Sequence, residues 1–365
     1  MTEVLLSHDA LGQLPRMLNR YRCRHCLFVA SHASRNSDIL RRWASAMPGS
    51  HEVFSPDGTL PQISEAMRCH RERGDSFDAI VAIGGGRIID TAKAISLRRE
   101  EVQIFFDNPT YELRAEGAVP LFAVPTIAGS GSEVTPFAVS YKDGIKHSLS
   151  HPALAPVAAI IDPRLMESVP HLQRAISGVD AVAHGIEALL SNRATDASDA
   201  HAMKAVEIGR RILFNSRNGA VEDLAELYNA SIAGGRAIAL TRTTIPHAMS
   251  YYFTSVHGIP HGHAVSLTMG RYLRRFGASM KNDRRLWKWS RSYEYVLQQF
   301  GASSHADIEG IWHARLAELG LRVSLSSLGI GEVDLGELGQ HVNADRFANS
   351  PLRLTVKEAA DLLMA

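Results

Sequence analysis

Residues 79–83, Ala-Ile-Val-Ala-Ile, run directly into Gly84-Gly85-Gly86, and this junction narrows the open folds more than any other stretch. The apolar run is too short for a helix and has no polar face. Arg87, Ile88, Ile89, Asp90 and Lys93 then follow the glycines at helical spacing. A strand apolar on both sides belongs between two layers of helices, which is the setting of a parallel sheet. The same signature recurs at 26–31, 120–124 and 157–161, and helical patterns cover 35–46 and 61–73. Parallel neighbours need crossover connections, so an α/β unit is predicted. Residues 134–140 predict a further strand or hairpin arm, with the turn at Lys142-Asp143-Gly144.

The pattern changes after Asp162-Pro163. Helical stretches follow at 171–191, 196–213, 220–240, 283–300, 305–319 and 357–364, with almost no strand signal. The expectation is an α/β nucleotide-binding domain over 1–163 and an all-α domain over 164–365, with ligands in the cleft between them. At 365 residues and 45% apolar content the chain supports two cores. A net charge of +1 provides no electrostatic case for nucleic acid or an anionic membrane as partner. No basic-then-apolar leader and no membrane-length apolar run is found, so a cytoplasmic protein is expected. Cys23, Cys26 and Cys69 read as ordinary thiols, since the single C-x-x-C has no second pair to complete a zinc site.

Four motifs carry chemistry. At Gly84–Gly86 the backbone can approach a phosphate at a helix N-terminus, and Arg87 can add a direct contact to a pyrophosphate. The spacing is not G-x-G-x-x-G. Residues 125–135, Pro-Thr-Ile-Ala-Gly-Ser-Gly-Ser-Glu-Val-Thr, place hydroxyls between glycines after another strand. Such a loop suits a carboxamide, ribose or phosphate. Asp180 and His184 stand four apart in a helical, apolar stretch, so they share one face. A buried carboxylate is costly unless something compensates it, and a cation does. Finally, residues 247–263 hold four of the chain's 17 histidines, His247, His257, His261 and His263. We read this stretch as one helix end and one loop supplying ligands to a metal.

Taken together, these motifs resemble those of the iron-containing (group III) alcohol dehydrogenase family. The likeness runs from the strand at 26–31 to Asn349-Ser350-Pro351-Leu352-Arg353. It implies metal ligation by Asp180, His184, His247 and His261. It implies cofactor contacts at Gly85, Gly86, Arg87, Asp90, Thr126, Ser130, Thr135, Lys146 and Leu165. The implied cofactors are Fe(II), with Zn(II) acceptable to the same donors, and NADH or NADPH. Three departures matter. Arg87 replaces the family's serine. After the first strand the chain reads Ala30-Ser31-His32-Ala33-Ser34-Arg35, without the aspartate that holds a ribose in many NAD-using members. Tyr251 replaces the second histidine of His-Ala-x-x-His.

The segment from Thr241 to Tyr251, with Gly258-Ile259-Pro260-His261-Gly262-His263, looks like the phosphonoacetaldehyde reductase branch. That implies reduction of phosphonoacetaldehyde to 2-hydroxyethylphosphonate, with Arg242 and Tyr251 on the substrate. Another small aldehyde or alcohol, or a lyase like the dehydroquinate synthases, is the alternative. A non-enzymatic metal protein is the third option. Solvent, Tyr251, His257 and His263 all stand as proton carriers at this point. Family likeness further implies a homodimer or larger homo-oligomer.

Overall fold

The computed structural model describes residues 2–35, 49–214 and 223–364. The helical pattern expected over 35–46 lies outside them from residue 36 on, as does the start of the 220–240 stretch. The described residues form two compact units. One comprises Met1–Ile127 with Gly131–Ser168, the other Ala128–Ser130 with Val169–Ala365.

The first unit is built on a six-stranded sheet. In chain order the strands are β1 (Glu3–Leu6), β2 (His25–Ala30), β3 (Ser50–Phe54), β4 (Ala79–Gly84), β5 (Leu121–Pro125) and β8 (Ala158–Ile161). Their spatial order is β1-β8-β5-β4-β2-β3, and every pairing is parallel. All four predicted buried strands are present. Successive side chains of a strand point to opposite faces, and this splits each apolar run between two cores. Leu27, Val29, Ile80, Ala82, Leu121 and Ala123 face one core. Cys26, Phe28, Val81, Ile83, Phe122 and Val124 face the other. The first core is closed by α2 (Ile63–Arg73), α3 (Gly86–Ser96) and α4 (Arg99–Asp107), the second by α1 (Leu14–Arg20). Each large apolar side chain so buried contributes about 1.5–3 kcal/mol.

β2 continues outward to β3, whereas β4 returns to the other flank of β2. The topological switch point therefore lies between β2 and β4, where open α/β sheets bind ligands beyond the strand ends. Gly84–Gly86 sit at that end of β4. The predicted hairpin also forms, from β6 (Phe137–Lys142) and β7 (Ile145–Ser150). Its turn residues Asp143 and Gly144 have φ of 52° and 77°, as a type I′ turn requires.

The second unit is helical. It contains α5 (His171–Leu189), α6 (Asp196–Phe214), α7 (Leu224–Thr241), α8 (Ile245–Ser255), α9 (His261–Met280), α10 (Ser290–Phe300), α11 (Ile308–Glu318), α12 (Leu335–His341), α13 (Ala344–Ala348) and α14 (Val356–Met364). α5 is buried on all sides from Gly178 to Leu189, packed against α6, α7 and α9. No helix among the described residues is long and apolar enough to cross a membrane. Cys23 and Cys26 are free and buried, and burial pushes their thiols up to about 11 and about 12. They are inert at neutral pH.

Candidate functional site

α5, α8 and α9 converge on one cluster in the second unit. Asp180 and His184 lie one turn apart on α5, so both project from the same face. His247 is the third residue of α8 and His261 the first of α9. One ligand atom from each of Asp180, His247 and His261 falls within a 4.8 Å set. Asp180 Oδ1 is 3.3 Å from His247 Nε2 and 3.9 Å from His184 Nε2. His184 stands at the edge of this set, its ring stacked on that of His247 at 4.6 Å between centroids. The sequence reading placed the second ligand source in a loop, whereas His261 opens a 20-residue helix. Pro260 ends the loop and sets the entry angle.

Gly262 makes this convergence possible. A Cβ there would sit 2.2 Å from the Ile176 carbonyl oxygen and 3.0 Å from Asp180 Cβ. Only glycine lets the first turn of α9 lie against α5, and that contact brings His261 to Asp180.

Glu187, one turn beyond His184, is the outer support. It is fully buried, and Oε1 accepts from Thr244 N–H (2.8 Å), Thr244 Oγ1 (2.9 Å) and His247 N–H (3.2 Å). Its other oxygen receives the Nδ1 proton of His247. This contact fixes the tautomer that leaves the Nε2 lone pair facing Asp180. Ser250 supports His261 in a similar way. Its hydroxyl donates to the His247 carbonyl (2.8 Å) and lies 3.4 Å from His261 Nδ1.

The electrostatics match a cation site. Burial alone would raise the Asp180 carboxyl, but His184, His261 and His247 together hold it below the usual range. Burial pushes His184 down to about 4, so it is neutral at pH 7. Burial also opposes charge on His247, yet Glu187 and Asp180 outweigh it and raise its pKa. Asp180 Oδ1, His184 Nδ1 and His247 Nε2 are buried and make no well-aligned hydrogen bond. Each such atom costs about 1–3 kcal/mol. A divalent ion accepted by carboxylate and imidazole relieves that cost at Asp180 Oδ1 and His247 Nε2, so the donor set fits the metal that its chemistry implies. Glu187→Gln should weaken metal affinity by about 10–100-fold, measurable by competition with a chromogenic chelator. Affinity within twofold of wild type would remove Glu187 from this role.

Of the positions expected to hold the cofactor, Gly85, Gly86 and Thr126 lie at the glycine turn. Gly85 caps α3, and a Cβ on Gly84 would meet Ile88 at 2.5 Å. Thr126 N–H donates to the Gly84 carbonyl (3.2 Å), which sets the second loop beside the turn. Arg87 reaches the carbonyls of Pro56 (3.4 Å) and Asp57 (3.3 Å). Asp90 accepts from Ser132 Oγ (2.5 Å) and Val139 N–H (2.9 Å). Lys93 is fully buried, and Nζ contacts Ser132 Oγ, both the carbonyl and Oγ1 of Thr135, and the Phe137 carbonyl at 2.8–3.3 Å. Burial lowers its pKa to about 8 against the opposing pull of Asp90 and Glu133. Asp90 and Lys93 therefore brace the 132–139 segment. Lys93→Met should cost about 3–5 kcal/mol, because it removes the charge that offsets buried Asp90 and the donor of the Ser132, Thr135 and Phe137 acceptors, a loss readable in a urea melt; a cost below 1 kcal/mol would contradict the brace. Lys146 lies on β7 opposite Tyr141, and Leu165 packs against the second sheet core. Ser130 belongs to the segment grouped with the second unit, where Gly129 N–H donates to Ser231 Oγ (2.8 Å).

The substrate candidates divide. Tyr251 is buried, its ring stacked on His261 at 5.9 Å. Arg242 caps α7 at half-burial. His263 is two residues beyond His261 and so faces the other side of α9, where Nε2 bonds the Arg322 carbonyl at 2.7 Å. His257 is exposed and packs on Tyr252 and Phe253. Sequence reasoning assigned no role to Glu187, Ser250 or Arg346. Only Glu187 carried a signal, as the seventh residue after Asp180 on the same helix.

Residues 1–163 match the sequence profile of iron-containing alcohol dehydrogenase, and 174–365 that of the Fe-containing alcohol dehydrogenase family, C-terminal. Phosphonoacetaldehyde reductase of Streptomyces viridochromogenes is 34% identical over 64% of this chain and 63% of its own length. Aldehyde-alcohol dehydrogenase 2 of Entamoeba histolytica is 28% identical over 78% of this chain and 35% of its own. The match thus spans less than two thirds of either relative. The solved iron-containing alcohol dehydrogenase of Thermotoga maritima superposes with a TM-score of 0.80 at 26% identity, covering 100% of this chain and 98% of that one. Two profiles that between them account for both compact units lead to one conclusion: the chain belongs to the iron-containing alcohol dehydrogenase family.

Proposed function

We infer that this chain is a metal-dependent, NAD(P)H-linked reductase of a small aldehyde, with phosphonoacetaldehyde as substrate and 2-hydroxyethylphosphonate as product. The observation that carries the class is the set Asp180, His247 and His261, whose ligand atoms lie within 4.8 Å of one another, with Asp180 Oδ1 and His247 Nε2 buried and making no well-aligned hydrogen bond. Arg242 at the end of α7, the Arg346 guanidinium over Tyr251, and the 34% identity to a phosphonoacetaldehyde reductase support the substrate. The reaction consumes one hydride from the nicotinamide and one proton, and the aldehyde becomes a primary alcohol.

Asp180, His247 and His261, with His184 beside them, would hold the metal, Fe(II) in this reading. When bound, the ion supplies Lewis-acid polarisation of the carbonyl oxygen. Glu187 and Ser250 keep the two imidazoles in the tautomers that ligation needs. In the first unit, Gly85, Gly86 and the N-terminus of α3 favour a pyrophosphate, and Arg87 adds charge. Thr126, Ser130, Thr135 and Lys146 supply polar contacts for the rest of the nucleotide. No carboxylate stands among residues 31–35 directly after β2, and Asp57 is engaged by His32 (3.1 Å) and Arg68 (3.3 Å). A 2′-phosphate is therefore not repelled, and NADPH is as well accommodated as NADH. Of the proton carriers, Tyr251 is the one stacked on a ligand histidine, and we assign the last proton transfer to its Oη or to solvent.

The test is a steady-state assay with Fe(II), crossing NADH and NADPH with phosphonoacetaldehyde, succinic semialdehyde and lactaldehyde. The highest kcat/KM is expected with phosphonoacetaldehyde. Turnover of the other aldehydes without it would remove the substrate and keep the class. No net consumption of NAD(P)H with any aldehyde would remove the class.

A further inference from the structure

Arg242 has a backbone that arginine does not choose. Its φ of 67° and ψ of 178° lie in a region that is otherwise almost confined to glycine. Such a conformation persists only where the surroundings over-determine it, and here they do. Asn349, buried, donates from Nδ2 to the Thr241 carbonyl (2.8 Å) and the Thr243 carbonyl (3.0 Å), on either side of Arg242. Thr241 Oγ1 donates to the Arg242 carbonyl at 2.8 Å, and Arg242 N–H closes the last turn of α7 on Ile238 at 2.8 Å. A glycine would take this conformation without strain, so the side chain is what the position retains.

A second arginine reaches the neighbouring residue. Arg346 on α13 donates from Nη1 to Thr243 Oγ1 at 3.0 Å, one residue from Arg242. Its guanidinium lies 5.5 Å over the ring of Tyr251, which in turn stacks on His261. The Ser191 hydroxyl also ties the segment that carries the exposed Arg193 to Thr241 and Asn349. These charges, after burial, lower the Arg242 pKa, and Asp345 is the carboxylate that opposes them. The guanidinium stays protonated throughout. Arg346, seated over Tyr251 and tied to Thr243, the residue after the strained Arg242, thus stands one aromatic ring away from His261, an arrangement suited to an anion.

We propose that Arg242 and Arg346 form a two-armed clamp for a tetrahedral oxyanion on the substrate, with the strained Arg242 backbone aiming one arm. Planar guanidinium forks pair with such oxyanions in bidentate fashion. A single methylene separates phosphonate from carbonyl in phosphonoacetaldehyde, which suits a clamp this near the ligand cluster. The proposal rests on the reductase reading for its catalytic meaning, but its binding can be tested alone.

The experiment uses the intact protein, wild type and the Arg346→Gln, Arg242→Gly and Arg242→Ala variants. Thermal shift with ethylphosphonate, which carries no aldehyde, reads the clamp directly. A rise in Tm for wild type, lost in Arg346→Gln and Arg242→Gly, is expected. Ethanesulfonate should stabilise less, and a larger shift with it would assign the clamp to a sulfonate. Without ligand, Arg242→Gly should melt about 2–4 °C above Arg242→Ala, since both lose the side chain but only glycine relieves the backbone. Equal or inverted melting temperatures would overturn the aiming role. In turnover, either Arg346→Gln or Arg242→Gly should raise the ratio of KM for phosphonoacetaldehyde to KM for propanal by about 10–100-fold. Wild-type turnover of phosphonoacetaldehyde, with that ratio within twofold in both variants, sinks the clamp and leaves the reductase reading intact. Wild-type binding of ethylphosphonate without turnover of phosphonoacetaldehyde sinks the substrate reading and leaves the clamp intact.

Discussion

Asp180→Ala is expected to lose metal binding and, with it, aldehyde reduction. A four-ligand structural site is worth about 10–16 kcal/mol at neutral pH, so one ligand's share is roughly 3–4 kcal/mol, or about 100–1,000-fold in affinity. The carboxylate should lie at or above that share, because it is the anionic member of the set and the group on which His184 and His247 converge. Metal content after desalting, measured by mass spectrometry, checks this without relying on turnover. Stoichiometric metal in Asp180→Ala would show that the ion sits elsewhere.

Gly262→Ala should be almost as damaging, although it touches no ligand atom. The added Cβ would stand 2.2 Å from the Ile176 carbonyl oxygen, a distance no relaxation of side chains can open, so the first turn of α9 must retreat from α5. Overpacking of this kind costs about 1–3 kcal/mol or more. Displacing His261 by as little as 1 Å is enough for a rate loss of about 100-fold. Thermal melting of the metal-free protein and chelator competition would separate the two consequences. A variant with wild-type Tm and wild-type metal affinity would contradict the close approach.

Much of this was legible from sequence because it depends on local order. The buried strands declared themselves through short apolar runs, two of them ending directly at Gly84 and Pro125, and the hairpin through Asp143-Gly144. Asp180 and His184 shared a face by spacing alone. β3 was not legible, since its edge position leaves Ser50, His51 and Glu52 in a strand with little apolar signal. β1 is four residues of intermediate burial and has the same difficulty. His261 was expected in a loop because Pro260 and Gly262 flank it; the proline is a helix entry and the glycine a packing contact. Arg346 lies more than a hundred residues from Arg242 in the chain, and only tertiary contacts through Thr243 and Asn349 bring them together. No spacing rule reaches that far. The strain at Arg242 is likewise a backbone property that residue identity alone does not reveal.

The Asp180, His247 and His261 cluster is proposed as the metal centre of an aldehyde reductase. Its most direct test is an anaerobic titration of metal-free protein with Fe(II), following NAD(P)H oxidation in the presence of phosphonoacetaldehyde and, in parallel, propanal. Turnover should be negligible without metal, rise linearly, and level off at one equivalent per chain. Full turnover before any metal is added, or metal uptake to one equivalent with no turnover of either aldehyde, would contradict that assignment.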